Sequence, residues 1–183
     1  TDSGMDIESN FLIQNNGFDE DFFKQIAGTK KVTNKIVFAG KLTRNNQQRG
    51  LKFIIDCFKD ERLNKFQFKI IGDSDTESIS SLNKNSPPNV EFVGYLKKKE
   101  TIKELLNSEV GLLVNSSESD HSLYHTDPLK YYEYSAADLK IIAPNFPSHS
   151  ELNRYNNLFL YEHENKNSFI ETLQKISNLP KNT

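Results

Sequence analysis

Short apolar runs alternate with helical patterns along this chain, and that alternation leaves few folds open. Candidate strands are Phe11–Gln14, Lys35–Ala39, Phe66–Ile71, Val90–Val93, Val110–Val114, Lys140–Ala143 and Leu158–Tyr161. Between them Leu51, Ile54, Ile55 and Phe58 recur at helical spacing, as do Ile102, Leu105 and Leu106, and then Phe169, Ile170, Leu173 and Ile176. Each set falls on one helix face. Strands separated by such helices predict an α/β fold, a parallel sheet covered by helices on both faces. The polar segment Ser74 to Pro88 predicts a short surface helix and a loop.

At 183 residues the chain is one ordinary domain, long enough to bury about two-thirds of its unfolded surface. Hydrophobic residues make up 36% and charged residues 26%, with 13 Phe and 7 Tyr as bulky core material. This is the composition of a soluble globular chain. A net charge of −2 without a basic stripe gives a nucleic-acid partner no electrostatic footprint. Lys97-Lys98-Lys99 reads as a solvated helix start or turn. The single cysteine, Cys57, excludes a disulfide framework and a cysteine-based zinc site, and reads as a packed thiol. No apolar run approaches 18 residues and no signal peptide is visible, so a membrane span and an export signal are not expected. Thr1 to Ser9 is polar and begins without Met. It reads as the flexible cut end of something longer, with residues missing upstream.

Parallel sheets bind ligands at the carboxyl ends of their strands. The residues there are Gly40-Lys41, Gly72-Asp73, Gly94-Tyr95 and Asn115-Ser116-Ser117. Any one glycine serves a tight turn whatever the ligand, but three on the ligand edge suggest close backbone approach. The richest stretch is Thr126 to Leu152, TDPLKYYEYSAADLKIIAPNFPSHSEL. Pro128 is pre-set for the first turn of a helix. Lys130 and Glu133 then share one face. The helix ends at Ala136-Ala137-Asp138, and an apolar strand follows and stops at Pro144. A helix start with Lys130 suits a diphosphate, and a carboxylate at Glu133 suits a ribose diol. The neighbouring Tyr131, Tyr132 and Tyr134 read as packing.

The same stretch resembles the C-terminal domain of retaining glycosyltransferases with two Rossmann-like domains, the group 1 type with the GT-B fold. The resemblance rests on Pro128, Leu129, Lys130, Glu133, Tyr134, Ala136 and Ala137 in register, on the strand after them, and on Pro147-Ser148-His149. Other pieces follow in order: NNGFDEDFF at the crossing between domains, VFAGKLTRNNQQRGLKFII on the phosphate side, FKIIGD, and NVEFVGYL. The resemblance implies a Rossmann-like sheet that is one half of a GT-B fold. Residues 1–183 would then be the donor-binding domain, with the N-terminal acceptor domain absent.

It further implies transfer of a sugar, of hexosyltransferase type, from a nucleotide-diphosphate donor to a glycan or other acceptor. That points to a cytoplasmic protein of polysaccharide biosynthesis, peripherally membrane-associated at full length. No cofactor or metal is expected, because protein cations do the metal's work. Gly40 makes the phosphate-side turn. Lys41, Arg49, Lys130 and Leu129 with its helix start would hold the diphosphate, with Arg44 able to replace either loop cation. Glu133 would hold the ribose, and Gly94, Tyr95 and Leu96 would lie beside the nucleobase. Lys41 stands where the family usually has Arg, and Arg49 where it usually has Lys.

Many members carry a second Glu eight residues before the ribose Glu. Here that position is His125, and the sugar-side carboxylate is unassigned. His125 and Asp127 are the catalytic candidates, with Glu118 and Asp120 in the same loop; His121 and His125 make a weak metal pair. A catalytically silent Rossmann-like scaffold is the competing reading. A small flavodoxin-like phosphate enzyme is disfavoured, because no Gly-rich phosphate loop is present.

Overall fold

The computed structural model describes residues 30–44, 47–48, 50–73, 76–115, 120–125, 128–150, 152 and 156–179. The expected strand at Phe11–Gln14, the crossing segment, Arg49, Asp127 and Glu118 lie outside them. The elements are β1 (Lys35–Ala39), β2 (Thr43–Arg44), β3 (Gln47–Gln48), α1 (Leu51–Cys57), β4 (Gln67–Ile71), α2 (Thr76–Lys84), β5 (Val90–Gly94), α3 (Lys98–Leu106), β6 (Val110–Leu112), α4 (Asp120–Tyr124), α5 (Leu129–Ala136), β7 (Lys140–Pro144), α6 (Pro147–Ser150), β8 (Leu158–Tyr161) and α7 (Lys166–Ser177).

Six strands form one sheet in the order β5-β4-β1-β6-β7-β8. Every pairing in it is parallel, as with Lys35 to Ala39 of β1 against Gln67 to Ile71 of β4. From β1 in the middle the described chain runs outward through β4 and β5, then returns and runs outward the other way. This is the doubly wound Rossmann order, and its direction reverses between β1 and β6. Strands β2 and β3 form a separate antiparallel pair.

Alternation along each strand feeds two cores. Ile36, Phe38, Phe68, Ile70 and Ile142 pack with α1 and α7 on one face. Val37, Ala39, Ile71, Ile141 and Ala143 pack with α3 and α5 on the other. All five residues of β1 are buried, as a central strand covered on both faces requires. The helix faces expected from spacing are the ones that bury: Leu51, Ile54 and Ile55 on α1, Ile102 and Leu105 on α3, and Phe169, Ile170, Leu173 and Ile176 on α7. Cys57 is buried, and burial pushes its thiol up to about 12, so it is an inert part of the packing.

Pro128 departs from expectation. It stands before the helix rather than inside its first turn, with ψ at 119°. Its carbonyl accepts the Tyr131 N–H at 2.9 Å. The fixed proline φ serves both positions; the extended ψ makes Pro128 the residue before the helix. At the other end Asp138 takes φ 52°, and the Leu139 N–H returns to the Tyr134 carbonyl at 3.0 Å. Aspartate tolerates this left-handed turn better than most side chains, and it drops the chain into β7.

Candidate functional site

The reversal between β1 and β6 opens a crevice at the carboxyl ends of the strands, and the sequence places Gly40 there at once. Its N–H donates to the Ile71 carbonyl at 2.9 Å, and the Gly72 N–H donates to the Gly94 carbonyl at 2.9 Å. A Cβ on Gly72, at φ +156°, would stand 1.8 Å from the Gly40 oxygen. The close approach anticipated at this row is therefore strand end against strand end.

Helix α5 reaches this edge from the sheet face it packs on. The Tyr134 hydroxyl accepts the Ala39 N–H at 2.9 Å in a buried contact. A Cβ on Gly111 of β6 would fall 2.5 Å from the Tyr134 ring. Glycine in β6 thus admits the ring, and the ring's hydroxyl satisfies the last N–H of β1. With α5 so fixed, Lys130 lies over Gly40: its Cε is 4.0 Å from where a Cβ on Gly40 would be. The Lys130 Nζ donates to Glu133 Oε2 at 2.5 Å. Both side chains keep about a third of their surface exposed, 37% and 35%. Phe38, Ala39, Val114, Asn115, Pro128 and Lys130 line a small crevice of about 30 Å³ between them.

The other expected residues divide. Lys41 is exposed just beyond Gly40 on the same edge. Leu129 is 54% exposed at the first position of α5, and Tyr95 is 73% exposed after Gly94, whose φ is +78°. Leu96 is half-buried against the α3 face. Arg44 falls in β2. His125 is exposed beside Tyr124. So Gly40, Lys41, Leu129, Lys130 and Glu133 converge, with Gly94 and Tyr95 two strands away on the same edge. Tyr131, Tyr132 and Tyr134 are buried, as expected of packing residues.

Sequence reasoning missed a buried polar pair behind the crevice. His149 on α6 is fully buried, and its Nε2 lies 3.4 Å from Asn115 Nδ2. Asn115 was legible as a residue after a strand; His149 was legible only within the family-like Pro147-Ser148-His149, with no role attached to it. Burial pushes the His149 imidazole below its ordinary range, the Pro144 carbonyl acting the other way.

A concavity of about 980 Å³ lies elsewhere, lined by Lys31, Glu109, Asp138, Lys140 and Asn157 among others. These residues stand at the amino ends of β6, β7 and β8, the wrong edge for a ligand of a parallel sheet. Lys30 and Leu179, the first and last described residues, are among its walls. Among the described residues no group of three or more His, Cys, Asp or Glu could hold a metal ion. No described helix is long and apolar enough to cross a membrane.

The family described as Glycosyl transferases group 1 matches residues 33–178. Among solved structures, the chain is similar to AviGT4, a glycosyltransferase involved in avilamycin A biosynthesis, with TM-score 0.67 and 10% identity over 94% of this chain and 50% of that one. It is similar to WaaG, a glycosyltransferase involved in lipopolysaccharide biosynthesis, with TM-score 0.63 and 15% identity over 92% and 48%. It is also similar to the UDP-GlcNAc 2-epimerase of Methanocaldococcus jannaschii, with TM-score 0.57 and 13% identity over 90% and 43%. At these identities the likeness is one of fold. The chain spans about half the length of these structures. No curated protein matches it.

Proposed function

This chain belongs to the group 1 glycosyl transferases, and from that premise we propose that it is the half of such an enzyme that holds a nucleotide-diphosphate sugar. The observation that carries this reading is Lys130, poised over Gly40 at the switch point and bonded to Glu133. A fold shared with an epimerase does not choose the chemistry; the family favours sugar transfer. The diphosphate would lie against Lys130, Lys41 and the first N–H groups of α5, with Arg49 joining by resemblance. The ribose would bond Glu133, and the base would face Gly94, Tyr95 and Leu96. As the glycosidic bond breaks, negative charge grows on the diphosphate, and fixed cations and N–H donors there lower the barrier. No divalent metal is needed in this arrangement.

Lys130 and Glu133 bond each other, so a donor that engages both must part them. A pair about a third exposed and three residues apart on a helix is worth only a few tenths of a kcal/mol. A charge-assisted bond from each to a ligand is worth about 1.5–3 kcal/mol. The exchange favours the ligand, and the pair keeps both side chains aimed at the edge meanwhile. Calorimetry with UDP, GDP, ADP and their sugars in EDTA tests the reading. Binding of at least one without metal is expected; no binding at millimolar concentration sinks it.

A further inference from the structure

Asn115 is where three carboxyl-end segments meet. It follows β6 and lines the crevice beside Lys130. Its backbone carbonyl presses on Gly50, the residue before α1: a Cβ there would stand 3.1 Å from that oxygen, at a φ of +75°. Its side chain meets His149, which arrives from β7 through α6. The His149 ring stacks on Phe146, with centroids 5.4 Å apart and planes at 21°.

The hydrogen-bond partners suit one tautomer of the neutral ring. His149 Nδ1 lies 2.8 Å from the Pro144 carbonyl, which can only accept, so Nδ1 carries the proton. Nε2 then holds a lone pair and accepts the Asn115 amide N–H at 3.4 Å. Both roles are filled by a neutral imidazole. A charged ring would set its Nε2–H against the Asn115 amide hydrogens, donor against donor, and the amide would have to turn.

We propose that His149 is a positioning residue for donor binding, fixing the Asn115 amide and through it the crevice wall beside Lys130. The role rests on the donor-binding reading above. It leaves His149 outside the chemistry, since the ring is fully buried. Among the described residues, the groups around it on the packed elements carry no charge against it. Pro144 and Asn115 are neutral, and Phe146 separates it from His163, whose ring lies 4.9 Å beyond. Asp120 on α4, which packs on α6, is exposed.

The test titrates UDP-glucose, GDP-mannose and ADP-glucose into wild type, His149→Gln and Asn115→Ala by calorimetry near neutral pH. Nitrogen NMR of wild type reads the His149 tautomer and its titration. For the sugar that wild type binds, both variants should bind about three- to tenfold more weakly, the effect of one hydrogen bond. Wild type should show the Nδ1–H tautomer and lose affinity by a similar factor as His149 charges. Should His149→Gln fail to fold, Asn115→Ala carries the comparison. Unchanged affinity in Asn115→Ala, an Nε2–H tautomer, or charging of His149 without loss of affinity each overturns the positioning role and leaves the donor reading standing. Failure of wild type to bind any of the three sugars sinks the donor reading and this role with it.

Discussion

Glu133 concentrates the question at the scale of one residue. Its carboxylate bonds Lys130 at 2.5 Å and is about a third exposed, which is what an ordinary surface helix pair looks like. The two roles separate by magnitude. As a ribose ligand it should contribute about 1.5–3 kcal/mol, so Glu133→Ala should weaken nucleotide binding roughly 10- to 150-fold. Glu133→Gln keeps the shape and one acceptor and should lose less. Stability should shift by only tenths of a kcal/mol. Calorimetry and melting curves on both variants decide: unchanged affinity in Glu133→Ala would remove it from the site. Lys130 and Glu133 were readable because helical spacing alone puts them on one face. The position of Lys130 over Gly40 was not, since it depends on how deeply α5 sits on the sheet. That depth is set by Tyr134 and Gly111, which are distant in sequence and of unremarkable type.

Helix α5 is the element that turns a sheet edge into a site. The Tyr134 hydroxyl answers the buried Ala39 N–H at 2.9 Å. In Tyr134→Phe that N–H stays buried without its partner, at a cost of about 1–3 kcal/mol. The expected result is a lower denaturation midpoint with unchanged slope; an unaltered midpoint would mean that β1 does not need the bond. At the opposite end of the strands, Glu104 of α3 bonds buried Lys35 of β1 at 2.6 Å and lies 3.5 Å from Lys69 of β4. Burial raises its carboxyl, but the two lysines outweigh burial and the net direction is down. A lowered folded pKa stabilises above the unfolded value of about 4.3 and is lost as pH falls through the folded one. Melting temperature should therefore drop on acidification below that value in wild type, and more gently in Glu104→Gln. Equal slopes would show that the pair does not couple to folding. Strands β1 and β8 were legible to their ends, because the apolar run and the buried run coincide. Strand β6 was expected to reach Val114 but pairs only through Leu112, since its last apolar residues line the crevice. The pair of Asn115 and His149, 34 residues apart, comes together only through the winding of the sheet, which no local pattern encodes.

Over the whole molecule, alternation and right-handed crossovers narrow the strand order of a parallel sheet to a few arrangements without choosing among them. What alternation cannot supply is the far wall of the crevice. The chain spans 50% of AviGT4 and 48% of WaaG, and its proposed donor residues stand on an open edge, with Tyr95, Leu129 and Lys41 exposed. An open site gives a donor contacts on one side only, so micromolar-to-millimolar affinity, about −8 to −4 kcal/mol, is expected. Transfer asks for more than binding. Donor and acceptor must be held in line, and that positioning can supply about 7–11 kcal/mol of the barrier. No described residue of this edge is assigned to a second substrate, and the sugar-side carboxylate has no assigned residue: His125 is exposed beside Tyr124. Residues 1–183 by themselves should therefore bind a nucleotide sugar and transfer none of it. Incubation with each radiolabelled nucleotide sugar and a simple glycan acceptor should give no labelled product above a protein-free control, under conditions where calorimetry shows the donor bound. Sustained turnover would mean that this edge already holds both substrates, and the half-enzyme reading would have to be given up.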